Sequence, residues 1–106
     1  MAKYLVSANY TTEGLKGVVK EGGSGRVNAI HKVIESVGGK VESVYFAFGD
    51  TDVFIVVDAP DNVTAAGLSL IVSAAGAAKT RITVLLTAAE IDAAVKLHPT
   101  YRLPGQ

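Results

Sequence analysis

The sequence predicts an α+β fold: a four-stranded antiparallel sheet with its main helices on one face. Three observations predict it. Residues 40–58, KVESVYFAFGDTDVFIVVD, hold two apolar, β-branched and aromatic runs that meet at Gly49-Asp50-Thr51-Asp52, the pattern of a β-hairpin. A strand-like run and a helical run precede this hairpin, and a helical run and a strand-like run follow it. The chain has 106 residues, 49% hydrophobic and 19% charged, which suits one domain with a core of its own.

The first strand is read at residues 4–10, where Tyr4, Val6, Ala8 and Tyr10 alternate with Leu5, Ser7 and Asn9. Thr11 then offers an N-cap to a short helix at 13–20, weakened by Gly14 and Gly17. Gly22-Gly23-Ser24-Gly25 interrupts it, and Ser24 can cap a better helix at 26–37, with Val27, Ile30, Ile34 and Val37 on one buried face. Gly38-Gly39 ends that helix. In the second strand Val44, Phe46 and Phe48 oppose Val41, Ser43, Tyr45 and Ala47. In the third, Val53, Ile55 and Val57 oppose Phe54, Val56 and the flanking Asp52 and Asp58. Pro60-Asp61-Asn62 turns the chain into a helix at 63–75, with Val63, Ala66, Leu70 and Ala74 facing one way. The fourth strand, 80–86, sets Thr80, Ile82, Val84 and Leu86 against Arg81, Thr83 and Leu85. Thr87-Ala88-Ala89-Glu90 is a capping box for a last helix at 88–97, which Pro99 stops. Residues 1–98 are therefore expected to form one domain and 99–106 a tail. The order β-α-β-β-α-β, with a terminal helix, is the ferredoxin-like arrangement.

Composition removes several classes of function. Ten basic residues balance ten acidic ones, and the charges are scattered, so no general attraction to nucleic acid or an anionic membrane is expected. There is no cysteine, which excludes disulfides, thiolate metal ligands and a Cys nucleophile. Ser7 and Asn9 interrupt the apolar core that a signal peptide would need, so a cytoplasmic location is expected. No Gly-x-Ser-x-Gly elbow, zinc motif or dinucleotide fingerprint occurs, and no cofactor is expected.

Helices can cover only one face of the sheet. The other face still carries large apolar groups such as Phe54, Val56, Leu85 and Tyr45, where a sheet open to water would show polar residues. The expected solution is a homodimer in which two sheets pack face to face about a two-fold axis. The competing solution is that the terminal helix folds back over the open face.

The chain also resembles a known family. The stretches that carry the likeness are Lys3-Tyr4-Leu5-Val6, Tyr10 through Gly17, Gly22-Gly23-Ser24, Gly38 through Ser43, Tyr45 through Asp52, and Leu85-Leu86-Thr87. They resemble the GYD domain family. The resemblance implies a fold of the dimeric α/β-barrel group, whose members by fold include cofactor-independent oxygenases, haem-using enzymes and effector-binding regulator domains. Fold alone does not select among them. Thr51 stands where the family's naming motif has Tyr, so any contact made by that Tyr is absent or changed here.

Six side chains are candidates for a ligand site. His31 borders the apolar helix face and could act as a base or bind a metal or haem. With no acidic or histidine partner read at ligand spacing on its helix, the plainer reading is a boundary histidine. Arg26 follows the glycine patch into a helix N-terminus and could hold a carboxylate or phosphate there. Asn9 and Arg81 belong to neighbouring strands, while Tyr45 and Asp52 belong to the hairpin. If their faces coincide, these four form a polar cluster in an apolar cleft, with Asp52 or Tyr45 able to exchange a proton. The plainer alternative is an Asp52–Arg81 ion pair beside a turn built by Asp50 and Asp52. His98 is read as structural, at a helix end where a cation suits the dipole. The function expected is a dimeric barrel that binds a small organic molecule between helices and sheet. A non-enzymatic interaction module is the alternative, and a haem or metal protein using His31 comes third. No catalytic residue, reaction or substrate can be read from the sequence.

Overall fold

Alternating apolar residues and glycine-marked turns fold into seven elements, and the computed structural model describes residues Met1–Gln106. They are β1 (Ala2–Tyr10), α1 (Thr12–Glu35), β2 (Lys40–Phe46), β3 (Val53–Ala59), α2 (Asn62–Ala74), β4 (Ala78–Leu85) and α3 (Ala88–Val95). The strands form one antiparallel sheet in the order β2-β3-β1-β4, the ferredoxin-like topology expected from the element order.

The core lies between one sheet face and the two long helices. β1 contributes Tyr4 and Ala8, and β3 contributes Val53, Ile55, Val57 and Ala59. Ile30 and Ile34 of α1 and Ala65 of α2 close over them. The period-two alternation of β3 is clean, with every second side chain buried. Tyr4 is buried because its hydroxyl donates to Asn62 Oδ1 at 2.6 Å, which satisfies the polar end of the ring where α2 begins.

Three details differ from the sequence reading. The two helices read at 13–20 and 26–37 are one element, α1, in which only Gly22 leaves helical geometry, at φ 76° and ψ 173°. Helical geometry resumes at Gly23, so Ser24 lies inside the helix rather than at its cap. Thr11 is the N-cap expected, accepting from the Gly14 N–H at 3.2 Å. Second, β2 carries a bulge between Val41 and Ser43. The extra residue puts Val41 on the same face as Val44 and Phe46, whereas strict alternation had placed it opposite. Third, α2 buries the stripe of Ala65, Leu68 and Val72 and leaves Val63 and Leu70 exposed. The helix carries no charge and has small or apolar residues on more than one side, so its periodicity fits two stripes.

The open face of the sheet carries the large apolar groups expected, interleaved with polar ones. Across it run Tyr45, Phe54, Ser7 and Arg81 in one row, then Ser43, Val56, Leu5 and Thr83 in the next. Tyr45 is 71% and Phe54 38% exposed. Lys3, bonded to Asp58 at 2.9 Å and Glu42 at 3.2 Å, closes one end of this apolar band. The terminal helix does not fold back: α3 buries no residue and has no more than marginal contact with other elements. The radius of gyration is 17.0 Å, against about 13 Å for a compact domain of this length. No helix is long and apolar enough to cross a membrane.

Candidate functional site

Tyr10, the last residue of β1, points to the helix side of the sheet because strand alternation sets it in line with Tyr4, Val6 and Ala8. It lines three adjoining cavities. One, of about 80 Å³, lies between the helices and the sheet and is walled by residues such as Val6, Ile30, Leu68 and Val72. A second, of about 200 Å³, opens along the first turns of α1. A third, of about 290 Å³, lies under Phe46 and Phe48 and includes Asp52. No other residue lines all three.

Arg26 lines the first two of these cavities. The break at Gly22 reorients the second half of α1. Arg26 then lies one turn past the break, where its Nη1 donates to Glu21 Oε1 at 3.3 Å. Its Nε is buried and has no hydrogen-bond partner. A buried, unpaired donor on a cation is costly, and it marks a place where an acceptor is missing. Burial pushes the Tyr10 hydroxyl above its usual pKa of 10.0. Arg26 draws it down, while Asp52 and Glu21 add to the upward push. At neutral pH the phenol is protonated and able to donate. The site is therefore an apolar cleft with a phenol and a half-paired guanidinium at one end, and Thr80 and Ser69, bonded to each other at 2.6 Å, near the other wall.

The other candidate residues lie elsewhere. Asn9 and Arg81 meet on the open face: Arg81 Nη2 donates to Asn9 Oδ1 at 3.0 Å and to Thr51 Oγ1 at 3.2 Å. Asn9 Nδ2 donates in turn to the Asp50 carbonyl at 2.7 Å. This group ties the hairpin loop to β1 and β4. No ion pair joins Asp52 and Arg81. The Asp52 carboxylate instead accepts the Tyr10 backbone N–H at 2.8 Å, which fixes the end of β1 and with it the Tyr10 ring. Tyr45 shares the Arg81 row but lies three strands away, about 14 Å, at typical strand spacing. The four do not form a single cluster.

His31 lines none of the five cavities. Contrary to the sequence reading, it has an acidic neighbour on its own helix, with Nδ1 3.9 Å from Glu35 Oε1, one turn on and at the surface. No cluster of three or more His, Cys, Asp or Glu side chains is arranged to hold a metal. His98 adopts a positive φ of 47°, an uncommon conformation for a non-glycine residue, just before Pro99.

Sequence reasoning missed Tyr10, although the signal was present: alternation along β1 put it on the core face, and its position at the strand end made it a rim residue.

Comparison with known proteins agrees with the resemblance carried by the sequence. No curated protein matches the chain, and no solved structure matches it. Residues 4–95 match the GYD domain. That stretch takes in the sheet, both long helices and the Tyr10–Arg26 cleft, and on it the chain belongs to the GYD domain family.

Proposed function

We propose that this protein binds a small organic acid in the cleft between helices and sheet, as one subunit of a dimeric barrel. The single observation that carries the reading is that Arg26, whose Nε is buried without a hydrogen-bond partner, lines an otherwise largely apolar cavity. A carboxylate there accepts from the guanidinium, takes a second hydrogen bond from the Tyr10 phenol, and leaves an apolar body against Ile30, Val33 and Leu68. Glu21 engages the guanidinium through Nη1, and Nε has no hydrogen-bond partner of its own. The dimer reading is supported by the exposed Tyr45–Phe54 band, which two-fold packing of a second sheet would cover.

The test is calorimetry with benzoate and with benzyl alcohol, its uncharged analogue. The wild type is expected to bind the acid in preference to the alcohol. Arg26→Ala should weaken acid binding by about 1.5–3 kcal/mol, roughly ten- to a hundredfold in Kd, because it removes a charged hydrogen bond. Equal binding of benzoate by wild type and Arg26→Ala, with folding intact by circular dichroism, would refute the reading.

A further inference from the structure

Two apolar surfaces of this chain lack a partner, and they have matching character. The first is α3. Its eight residues start from a full capping box, in which Thr87 and Glu90 bond each other's backbone N–H, yet none of them is buried. A helix of this length is marginal in water without tertiary packing. Ile91 and Val95 lie one turn apart on one side and are exposed.

The second surface is α2 with the edge strand β4. Helix α2 contains no charged residue over its thirteen positions, and Leu70 and Ile71 are each 71% exposed. Beside it a groove of about 360 Å³ runs between α2 and β4, lined by Ala65, Ala66, Leu70, Ile82 and Val84 with Tyr4 at its base. A water-facing helix would carry charge on its outer side.

We infer that α3 of one chain docks in the α2–β4 groove of a second copy, exchanging arms across the dimer. The occupant follows from area. The chain exposes 7380 Å², whereas a compact monomer of 11.0 kDa exposes about 5,600 Å². The excess is about 1,800 Å² per chain, or about 3,600 Å² for two, which falls in the range of obligate dimers. A second copy supplies an equal deficit of its own, and the formal net charge of zero puts no repulsion between the copies. The 58 Å long axis of the molecule gives the arm its reach. Exchange rests on the dimer proposed above and adds to it a defined contact between Ile91 and Leu70.

Because the chain has no cysteine, engineered thiols report this contact without background. Full-length Ile91→Cys and Leu70→Cys chains carrying tags of different mass are co-expressed and oxidised gently. The expected product is a mixed-mass disulfide dimer. It should form at least about tenfold faster than the same Ile91→Cys chain links to a Val19→Cys chain, because docking raises the effective concentration of the thiols from micromolar towards millimolar. Val19 is exposed on α1. A second pair, Ala94→Cys with Ala66→Cys, repeats the test should either first variant fold poorly. Native mass spectrometry of the unmodified chain reads the oligomeric state separately. A dimer in which neither pair links above the control rate overturns arm exchange alone. A monomer overturns both the exchange and the dimer. An internal link in a chain carrying both Ile91→Cys and Leu70→Cys shows fold-back in cis and also overturns it.

Discussion

Replacing Gly14 by alanine forces apart two segments that the fold presses together. Gly14 sits in the first turn of α1 against the turn between α2 and β4. A Cβ there would collide with the Ala77 carbonyl oxygen, and would stand 2.9 Å from the carbonyl carbon and 3.2 Å from the Tyr10 ring. The oxygen would have to retreat by more than about 1 Å to reach an ordinary carbon–oxygen separation. It is not free to do so. Ala77 O accepts the Thr11 N–H at 3.0 Å, and the neighbouring Gly76 O accepts the Thr11 hydroxyl at 2.8 Å. Overpacking costs about 1–3 kcal/mol and each weakened hydrogen bond about 1 kcal/mol, while the helix preference of alanine returns up to about 1 kcal/mol. The net expectation is a loss of about 2–3 kcal/mol, which lowers Tm by roughly 10–20 °C in a domain of this size. Gly17, one turn on, is the control: nothing lies within 4 Å of its Cβ position. Gly17→Ala should stabilise by about 0.5–1 kcal/mol. Urea denaturation at matched protein concentration measures both. Two substitutions with the same sign would refute the close packing of α1 on the α2–β4 turn.

Three further outcomes are expected. Ile34→Ala, which empties a position 6% exposed in the core, should cost about 2–5 kcal/mol by denaturant midpoint. Tyr10 should ionise above pH 10, and the Tyr10→Phe variant should lose the matching part of the ultraviolet titration. Because its folded pKa is raised, the stability it contributes is complete below pH 10 and is lost as pH rises through the folded value. Asp61 caps α2 by accepting from the Thr64 N–H and hydroxyl, which lowers its carboxyl below the usual 3.8. Its contribution is present above that value and lost as pH falls through the lower folded one, so Asp61→Asn should flatten the acid limb of a pH–Tm curve.

Much of the fold was legible because local signals agreed. Val53, Ile55 and Val57 alternate with polar or surface-facing neighbours, the hairpin has its turn residues, and Thr11 and Thr87 are caps in both sequence and structure. The details that escaped are those in which one residue changes a pattern. The extra residue in β2 moves Val41 to the other face, and the absence of charge from α2 hides which stripe packs. The site was half legible. Arg26 was visible beside its glycine patch. Its partner Tyr10 lies on a different element, and only the fold brings the two together at the mouth of the cleft. Asn9 and Arg81 were correctly placed on neighbouring strands, but the side-chain network they join anchors the hairpin loop on the opposite sheet face.

The most direct test of the central claim is the Arg26 side chain itself. Its Nε–H gives a nitrogen–proton resonance that can be assigned by comparison with Arg26→Lys and followed during titration with benzoate. The account predicts that this resonance shifts saturably and becomes protected from solvent exchange as the carboxylate takes the unpaired donor, with the Tyr10 ring signals moving along the same binding curve. An Arg26 Nε–H that stays unchanged while benzoate binds, or that moves without Tyr10, would contradict it.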